Sequence, residues 1–474
     1  MDRDQFRKWA HHAADWSADY LETVREKPVR AQTTPGEIVS QLPKSPPEQG
    51  EDMAKIFEDV DTILMPGMTH WQHPRFFAYF PANSSPPSVI AEYLTATMAA
   101  QCMLWQTSPS ATELETRVLD WLRQMVNLPE RFQGVIQDSA SSATLAAILT
   151  GRERVLGFKG NQDGLVAHPP IRVYTSAQAH SSIDKAIWIT GIGQTNLVRV
   201  DVDSENAMDP EALERAIEDD REAGRLPAVL VATIGSTSIG AMDNLRALGE
   251  VVKRHGLYFH VDAAWAGSAL ICEEYRSLID GIEFVDSFVF NPHKWLLTNF
   301  DCTAHFVKDP DDLIRTLGIQ PDYLSTPGRV GPTWCSRGRT LGRRFRALKL
   351  WFVIRSYGTA ALRQMIRSHC EWLGNLAKEI DQAPDFELVT PASLSLLTFR
   401  YTPKEANDLN TLNAALLQTI NDDGRVYLTQ TRHKNAYVIR FQVGQLYTTE
   451  EDVAFAWEVI RELATGLPNH PGVS

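Results

Sequence analysis

The chain has 474 residues, of which 43% are apolar, and 46 basic residues against 59 acidic ones leave a formal net charge of −13. That length exceeds what a single hydrophobic core serves, and the composition is that of an ordinary globular protein. The acidic balance argues against a general nucleic-acid binder, and the absence of an apolar run of about 18 residues excludes a membrane-spanning helix.

The chain opens with a helix pattern: Phe6, Trp9, Ala13, Trp16 and Tyr20 recur at spacings of three and four and share one face. Large aromatics on an N-terminal helix need a cover, either their own domain or a partner subunit. Residues 32–52, "QTTPGEIVSQLPKSPPEQGED", read as a connector. From about 110 to 310, short apolar runs alternate with amphipathic helices. Helix "TELETRVLDWLRQMV" leads to "GVIQDSASSATLAAILTGRER", strand "IRVYTS", helix "AHSSIDKAIWIT", strand "NLVRVD" and helix "DPEALERAIEDD". Strand "PAVLVAT", helix "NLRALGEVVKRHG" and strands "LYFHVD" and "FVDSFVFN" follow. This alternation predicts βαβ units around a mostly parallel sheet, with ligands at the C-terminal strand ends. A long helix is expected from "LGRRFRALKLWF" onward. Strands "SLSLLTFRY", "RVYLTQ" and "AYVIRFQV" between helices then predict a small α+β domain. The expected division is an N-terminal helical arm at 1–85, a large α/β domain at 86–374 and a small domain at 375–474.

The five cysteines are scattered, without a C-x-x-C pair, and the charged N-terminus lacks the apolar segment of a signal peptide. A reduced, cytoplasmic protein is expected. His11, His12, His70 and His73 lack partners at ligand spacing, so no metal is expected.

Chemistry concentrates at the strand ends. In "VDSFVFNPHKWLLTNFDC" an apolar strand runs into Lys294, whose ammonium is costly to bury unless paired or chemically changed. Asp262 ends the apolar strand of "FHVDAAWAGSA" and needs a positive or hydrogen-bonding partner. "DSASSATLAAIL" puts Ser139, Ser141 and Ser142 at a helix start, where free N–H groups bind phosphate, although it is neither a dinucleotide nor a P-loop signature. His180 follows a strand in "SAQAHSSIDKA". Alone, each has an ordinary reading: a rim lysine, helix caps and a surface histidine. Together, a phosphate cradle, a flat stacker, a carboxylate and an amine are the set that pyridoxal phosphate requires.

The motifs "NPHKWLLTNFDC", "HVDAAWAGSA", "QAHSS", "TELET", "LGRRFRALKLWF" and "HWQHPRFFAYFP" closely resemble the pyridoxal-phosphate-dependent aromatic L-amino acid decarboxylases, which belong to the group II decarboxylases. The resemblance covers most of the chain. It implies an aspartate-aminotransferase-like fold (fold type I), pyridoxal 5'-phosphate as cofactor and a homodimer with its sites at the interface. Lys294 then matches the Schiff-base lysine, Asp262 the partner of the pyridine nitrogen, and His180 the ring stacker that also faces the substrate carboxylate. Ala140, Ser141 and Asn291 match phosphate-binding positions, Thr237 a residue beside the cofactor, and His293 a neighbour of the phosphate. Trp71, Tyr79, Phe80 and Pro81 match the wall of the aromatic substrate pocket, with Met103 joining from the partner subunit. Tyr323 matches a lid tyrosine that helps protonate the substrate carbon, where related aldehyde-forming enzymes commonly carry phenylalanine.

The chain departs from the family pattern in places. Ala82 replaces a hydroxyl residue facing the substrate ring, Asp138 a glycine ahead of the cradle, and Ser142 an acidic residue. The lid is shortened. Ala82 and Gly358 lean toward tryptophan or broad use among tryptophan, dopa, tyrosine and phenylalanine. Rival expectations are a group II enzyme for acidic or imidazole amino acids, an aldehyde synthase, and a scaffold without cofactor.

Overall fold

The computed structural model describes residues 1–319, 334–338 and 340–467. It divides into two compact units, Met1–Ala82 with Glu371–Ser474, and Asn83–Cys370. The expected three-way division is therefore drawn differently. The boundaries fall at 82 and 370, and the N-terminal segment is grouped with the C-terminal residues. The reason is direct pairing. Phe76 bridges to Tyr427, the Val29 N–H donates to the Gly424 carbonyl, and Phe77 shares a core with Leu397, Phe441 and Trp457.

The Asn83–Cys370 unit is built on a seven-stranded sheet. Its strands are β1 (Gln133–Gln137), β2 (Ile171–Ser176), β3 (Leu197–Val200), β4 (Leu226–Thr233), β5 (Tyr258–Asp262), β6 (Ser287–Phe290) and β7 (Thr303–Val307). Their order is β1-β7-β6-β5-β4-β2-β3. Neighbours from β6 through β3 are parallel, and β7 runs antiparallel to both β6 and β1. All of β5 and β6 and nearly all of β4 are buried, as expected of parallel strands covered on both faces. Side chains alternate along a strand, so Tyr258, His260 and Asp262 share one face of β5. His260 Nε2 lies 3.1 Å from Thr144 Oγ1, which identifies the Ala140–Val155 helix as the cover of that face. A buried carboxylate ties the end of β4 to a loop: Asp243 accepts the Thr233 and Met208 N–H groups, both at 2.7 Å.

The other unit carries an antiparallel sheet of β8 (Phe386–Ser393), β9 (Leu396–Tyr401), β10 (Thr429–His433) and β11 (Ala436–Gln442), in the order β10-β11-β9-β8. The Leu409–Asp423 and Glu450–Thr465 helices pack on it. The Arg3–Thr23 helix starts with a reciprocal cap between Asp2 and Gln5. Trp9 stacks on Phe57 with centroids 5.6 Å apart, Trp16 Nε1 donates to Asp61, and the Tyr20 hydroxyl meets His70 Nδ1 at 3.1 Å. The helix thus packs its aromatics on residues 53–70 of its own unit, yet none is fully buried and Phe6 stays half exposed.

Cys102, Cys272, Cys302 and Cys370 are free thiols, and no described helix is long and apolar enough to cross a membrane. β7 and β8 were not expected from the sequence, the "RVYLTQ" strand begins only at Thr429, and the long helix begins at Arg346.

Burial raises the Asp243 carboxyl from 3.8 to about 6. The folded protein therefore holds this proton where the unfolded chain has released it. That contribution to stability is full below the unfolded pKa and is lost as pH rises through about 6. Asp243→Asn should remove this decline, read as a flatter dependence of urea-unfolding free energy on pH between about 4 and 7.

Candidate functional site

In a parallel sheet every strand ends on the same edge. β2, β4, β5 and β6 do so here, and β1, antiparallel to β7, points the same way. The segments leaving these five ends line one cleft of about 270 Å³. After β1 come Ser139, Ala140 and Ser141, after β2 His180 and Ser182, and at the end of β4 Thr233, Gly235 and Thr237. β5 brings Asp262 and Ala264, and β6 leads to Asn291, Lys294 and Phe300. Of the cofactor residues expected from the sequence, the cleft gathers Lys294, Asp262, His180, Ala140, Ser141, Thr237 and Asn291. His293 is not among its lining residues.

Local hydrogen bonds fix each group. Ser139 caps the Ala140–Val155 helix by accepting the Ser142 N–H at 3.2 Å, so the capping reading holds while the helix start also faces the cleft. The first-turn N–H groups there suit an anion. Lys294 sits on the short Pro292–Trp295 helix and is half-buried, and Asn83 Nδ2 donates to its carbonyl at 2.7 Å. Asn291 Oδ1 accepts from Thr303 Oγ1 at 2.8 Å, which among the described residues leaves the amide N–H₂ to face an anionic group. Asp262 is buried, and its Oδ1 accepts the Ala264 N–H at 3.0 Å. His180 Nδ1 accepts the Ser182 N–H at 3.1 Å, so the neutral ring carries its proton on Nε2. Desolvation by its neighbours lowers the His180 pKa, Asp262 opposes this and Lys294 adds to it. The residue remains exposed, so water screens all three effects.

His293 is buried. Its Nδ1 accepts the Cys302 N–H, its ring meets Phe300 with centroids 4.7 Å apart, and burial, reinforced by Lys294, pushes its pKa down to about 3. A buried chain also crosses from the covering helix over β5 and β6 to β7: Thr144 to His260 at 3.1 Å, then His260 Nδ1 to Ser287 Oγ and Ser287 Oγ to His305 Nε2, both at 2.8 Å. Burial holds both imidazoles below their ordinary pKa, His305 at about 4.

The expected substrate-pocket residues Trp71, Tyr79, Phe80, Pro81 and Ala82 belong to the other compact unit. There Trp71 stacks on Tyr79 with centroids 5.7 Å apart, and both rings are partly exposed, at 38% and 46%. Tyr79 takes a left-handed backbone (φ 49) with its carbonyl held by Arg440, and the Ala82 carbonyl accepts from Gln72. Phe80 is buried over Gly444, where a Cβ would come 2.7 Å from its ring. Met103 is half-buried in the Asn83–Cys370 unit. Gly358 breaks the Arg346–Gln382 helix with φ 71 and ψ 162. Tyr323 lies outside the described residues. Sequence reasoning missed Ser182, Thr233, Gly235, Ala264 and Phe300. Thr233 ends an apolar strand just as Asp262 does, and that position was the available signal.

These residues fit pyridoxal 5'-phosphate. An amine, a carboxylate and an anion-binding helix start open onto one cleft. Among the described residues the buried Thr233 hydroxyl has no hydrogen-bond partner, a state that costs about 1–3 kcal/mol until one arrives. Comparison with known proteins agrees. Residues 35–402 match the family model described as the pyridoxal-dependent decarboxylase conserved domain. The chain is 41% identical to a phenylacetaldehyde synthase of Arabidopsis thaliana, covering 98% of this chain and 97% of the relative. It is also 41% identical to tyrosine decarboxylase 2 of Narcissus pseudonarcissus, over 98% and 95% of the two chains. The solved structure of Oryza sativa TDC with PLP and tryptamine superposes with a TM-score of 0.95 at 34% identity, over 98% of this chain and 99% of that one.

Gly235 forms the turn out of β4. Its φ is +79, and a Cβ there would meet Ala266 at 2.6 Å and the Trp265 ring at 2.8 Å. Gly235→Ala should therefore cost about 1–3 kcal/mol, measured as a lowered denaturation midpoint.

Proposed function

Because the chain belongs to the pyridoxal-dependent decarboxylase family, we propose that it converts an aromatic L-amino acid to the corresponding arylalkylamine and CO₂. The observation that carries this reading is the convergence of Lys294, Asp262 and His180 on one cleft beside an anion-binding helix start.

The cofactor is pyridoxal 5'-phosphate, and when bound it supplies an aldehyde that joins an amine and a ring that accepts electrons. Lys294 Nζ is the amine that would hold the aldehyde. The Asp262 carboxylate would keep a proton on the ring nitrogen. The N–H groups at Ala140 and Ser141 and the Asn291 amide would hold the phosphate, with Thr237 and His293 nearby in supporting roles. His180, neutral with its proton on Nε2, would donate to the substrate carboxylate and orient the bond to be broken. Tyr323 would return a proton to the substrate carbon. For the substrate ring, the reading assigns Trp71, Tyr79, Phe80 and Pro81, with Ala82, Met103 and Gly358 setting size and polarity. The stacked, partly exposed Trp71–Tyr79 pair supports an aromatic partner.

The working form is a homodimer in the cytoplasm. Support for the dimer comes from the Pro86–Met98 helix, which exposes Val89, Ile90, Tyr93, Leu94 and Met98. Sedimentation should give twice 53.1 kDa. A second reading, aldehyde formation, is favoured by the likeness to the phenylacetaldehyde synthase, whereas a tyrosine at 323 favours simple decarboxylation.

Incubation with tryptophan, dopa, tyrosine and phenylalanine should yield the matching amines with equimolar CO₂. Oxygen uptake with peroxide and ammonia release would establish the second reading instead. Lys294→Ala should abolish turnover and the visible absorbance of the lysine-bound cofactor, and a normal rate in that variant would sink the assignment. Since the His180 pKa is lowered from 6.5, the neutral ring persists below that value on acidification. kcat/KM should accordingly fall with a midpoint below 6.5, and His180→Gln should lose that acid limb.

A further inference from the structure

We propose that Thr233 is a positioning residue of the cofactor site, its hydroxyl donating to the Asp262 carboxylate when that carboxylate meets the protonated ring nitrogen. This inference rests on the assignment of Asp262 as the nitrogen's partner.

Four observations carry it. Thr233 is the last residue of β4 and pairs in register with Asp262, the last residue of β5, in a parallel ladder. Paired residues of adjacent strands project from the same face, which sets the two side chains side by side. Both line the cleft, and both are 5% exposed. Thr233 Oγ1 is fully buried and, among the described residues, has no hydrogen-bond partner. The fourth is the complementary gap on Asp262. Its Oδ1 is occupied by the Ala264 N–H, while Oδ2 receives no hydrogen bond from the described residues.

The backbone leaves Thr233 one freedom. Its N–H is held by Asp243, and the next N–H, of Ile234, donates to the Asp262 carbonyl at 2.9 Å. Rotation about χ1 is what remains, and it swings the hydroxyl without moving the strand. A carboxylate that faces a cation accepts hydrogen bonds more strongly than a neutral group does. The threonine hydrogen bond is therefore charge-assisted, and the loaded ring would hold the carboxylate in place to accept it. The bond fixes the carboxylate plane and lowers the carboxylate's basicity, so that the shared proton stays on the ring nitrogen.

The test compares Thr233→Val, Thr233→Ser and Asp262→Asn in the full chain. Pyridoxal 5'-phosphate affinity is measured by titration, the absorbance of the bound cofactor is followed against pH, and thermal unfolding is recorded with and without cofactor. Thr233→Val should weaken cofactor binding about tenfold, which corresponds to about 1.4 kcal/mol, and should move the pH midpoint of the absorbance. Thr233→Ser should restore both. Without cofactor, Thr233→Val should unfold no lower than the parent, because a methyl replaces a hydroxyl that had no partner. Parental affinity and spectrum in Thr233→Val, alongside a perturbed Asp262→Asn, would overturn this inference alone. So would a destabilised cofactor-free Thr233→Val, which would mark a bond already made without the cofactor. An unperturbed Asp262→Asn would overturn the inference together with the role of Asp262.

Discussion

A strand buried on both faces can present a charged group only where it ends. β4, β5 and β6 are buried almost throughout, so their apolar interiors leave Thr233, Asp262 and the Asn291–Lys294 segment as the places where polar chemistry can emerge. Parallel pairing then puts those ends on one edge. The Ala140–Val155 helix covers the face of β5 that bears Asp262, and so its N-terminus opens at the same edge. The site is the meeting of one stack's polar leftovers.

Such groups leave regular structure just where they are needed, and something must hold them. Here the holding is done mainly by single hydrogen bonds that involve the main chain. Asn83 grips the Lys294 carbonyl, Ala264 grips Asp262, Ser182 grips His180 and Cys302 grips His293. In each histidine the N–H donated by the chain selects which ring nitrogen is left to act. Burial keeps His293 neutral, so a lysine is seated beside an imidazole without meeting a second positive charge.

How far this was legible in the sequence depended on whether a residue's meaning was local. The central strands were readable because doubly buried parallel strands are nearly continuous apolar runs, as in "PAVLVAT" and "LYFHVD". Lys294, Asp262 and His180 were readable because each interrupts or follows such a run. β7 was not, since "TAHFV" returns antiparallel from β6 without the intervening long helix that marks a βαβ unit. β8 escaped because it is largely half-exposed and contains Pro391. The strand-end position of Thr233 was visible in the sequence, but its pairing with Asp262 is set by register. Register is a property of two strands at once and is not written in either. The N-terminal helix was read as needing a cover. It finds part of one in residues 53–70 and keeps Phe6 in the open.

The chain of Thr144, His260, Ser287 and His305 has a consequence for the wall behind Asp262. Ser287 owns a single hydroxyl hydrogen, yet it stands 2.8 Å from a nitrogen of each histidine. It can donate to only one of them and must accept from the other. Two orders of donors therefore satisfy all three links, with His305 Nδ1 lacking a partner among the described residues in both: one runs from Thr144 toward His305, and the other runs back. With both imidazoles kept neutral by burial, passing between the orders relocates hydrogens along the line and reverses its dipole, while the net charge of that wall stays at zero.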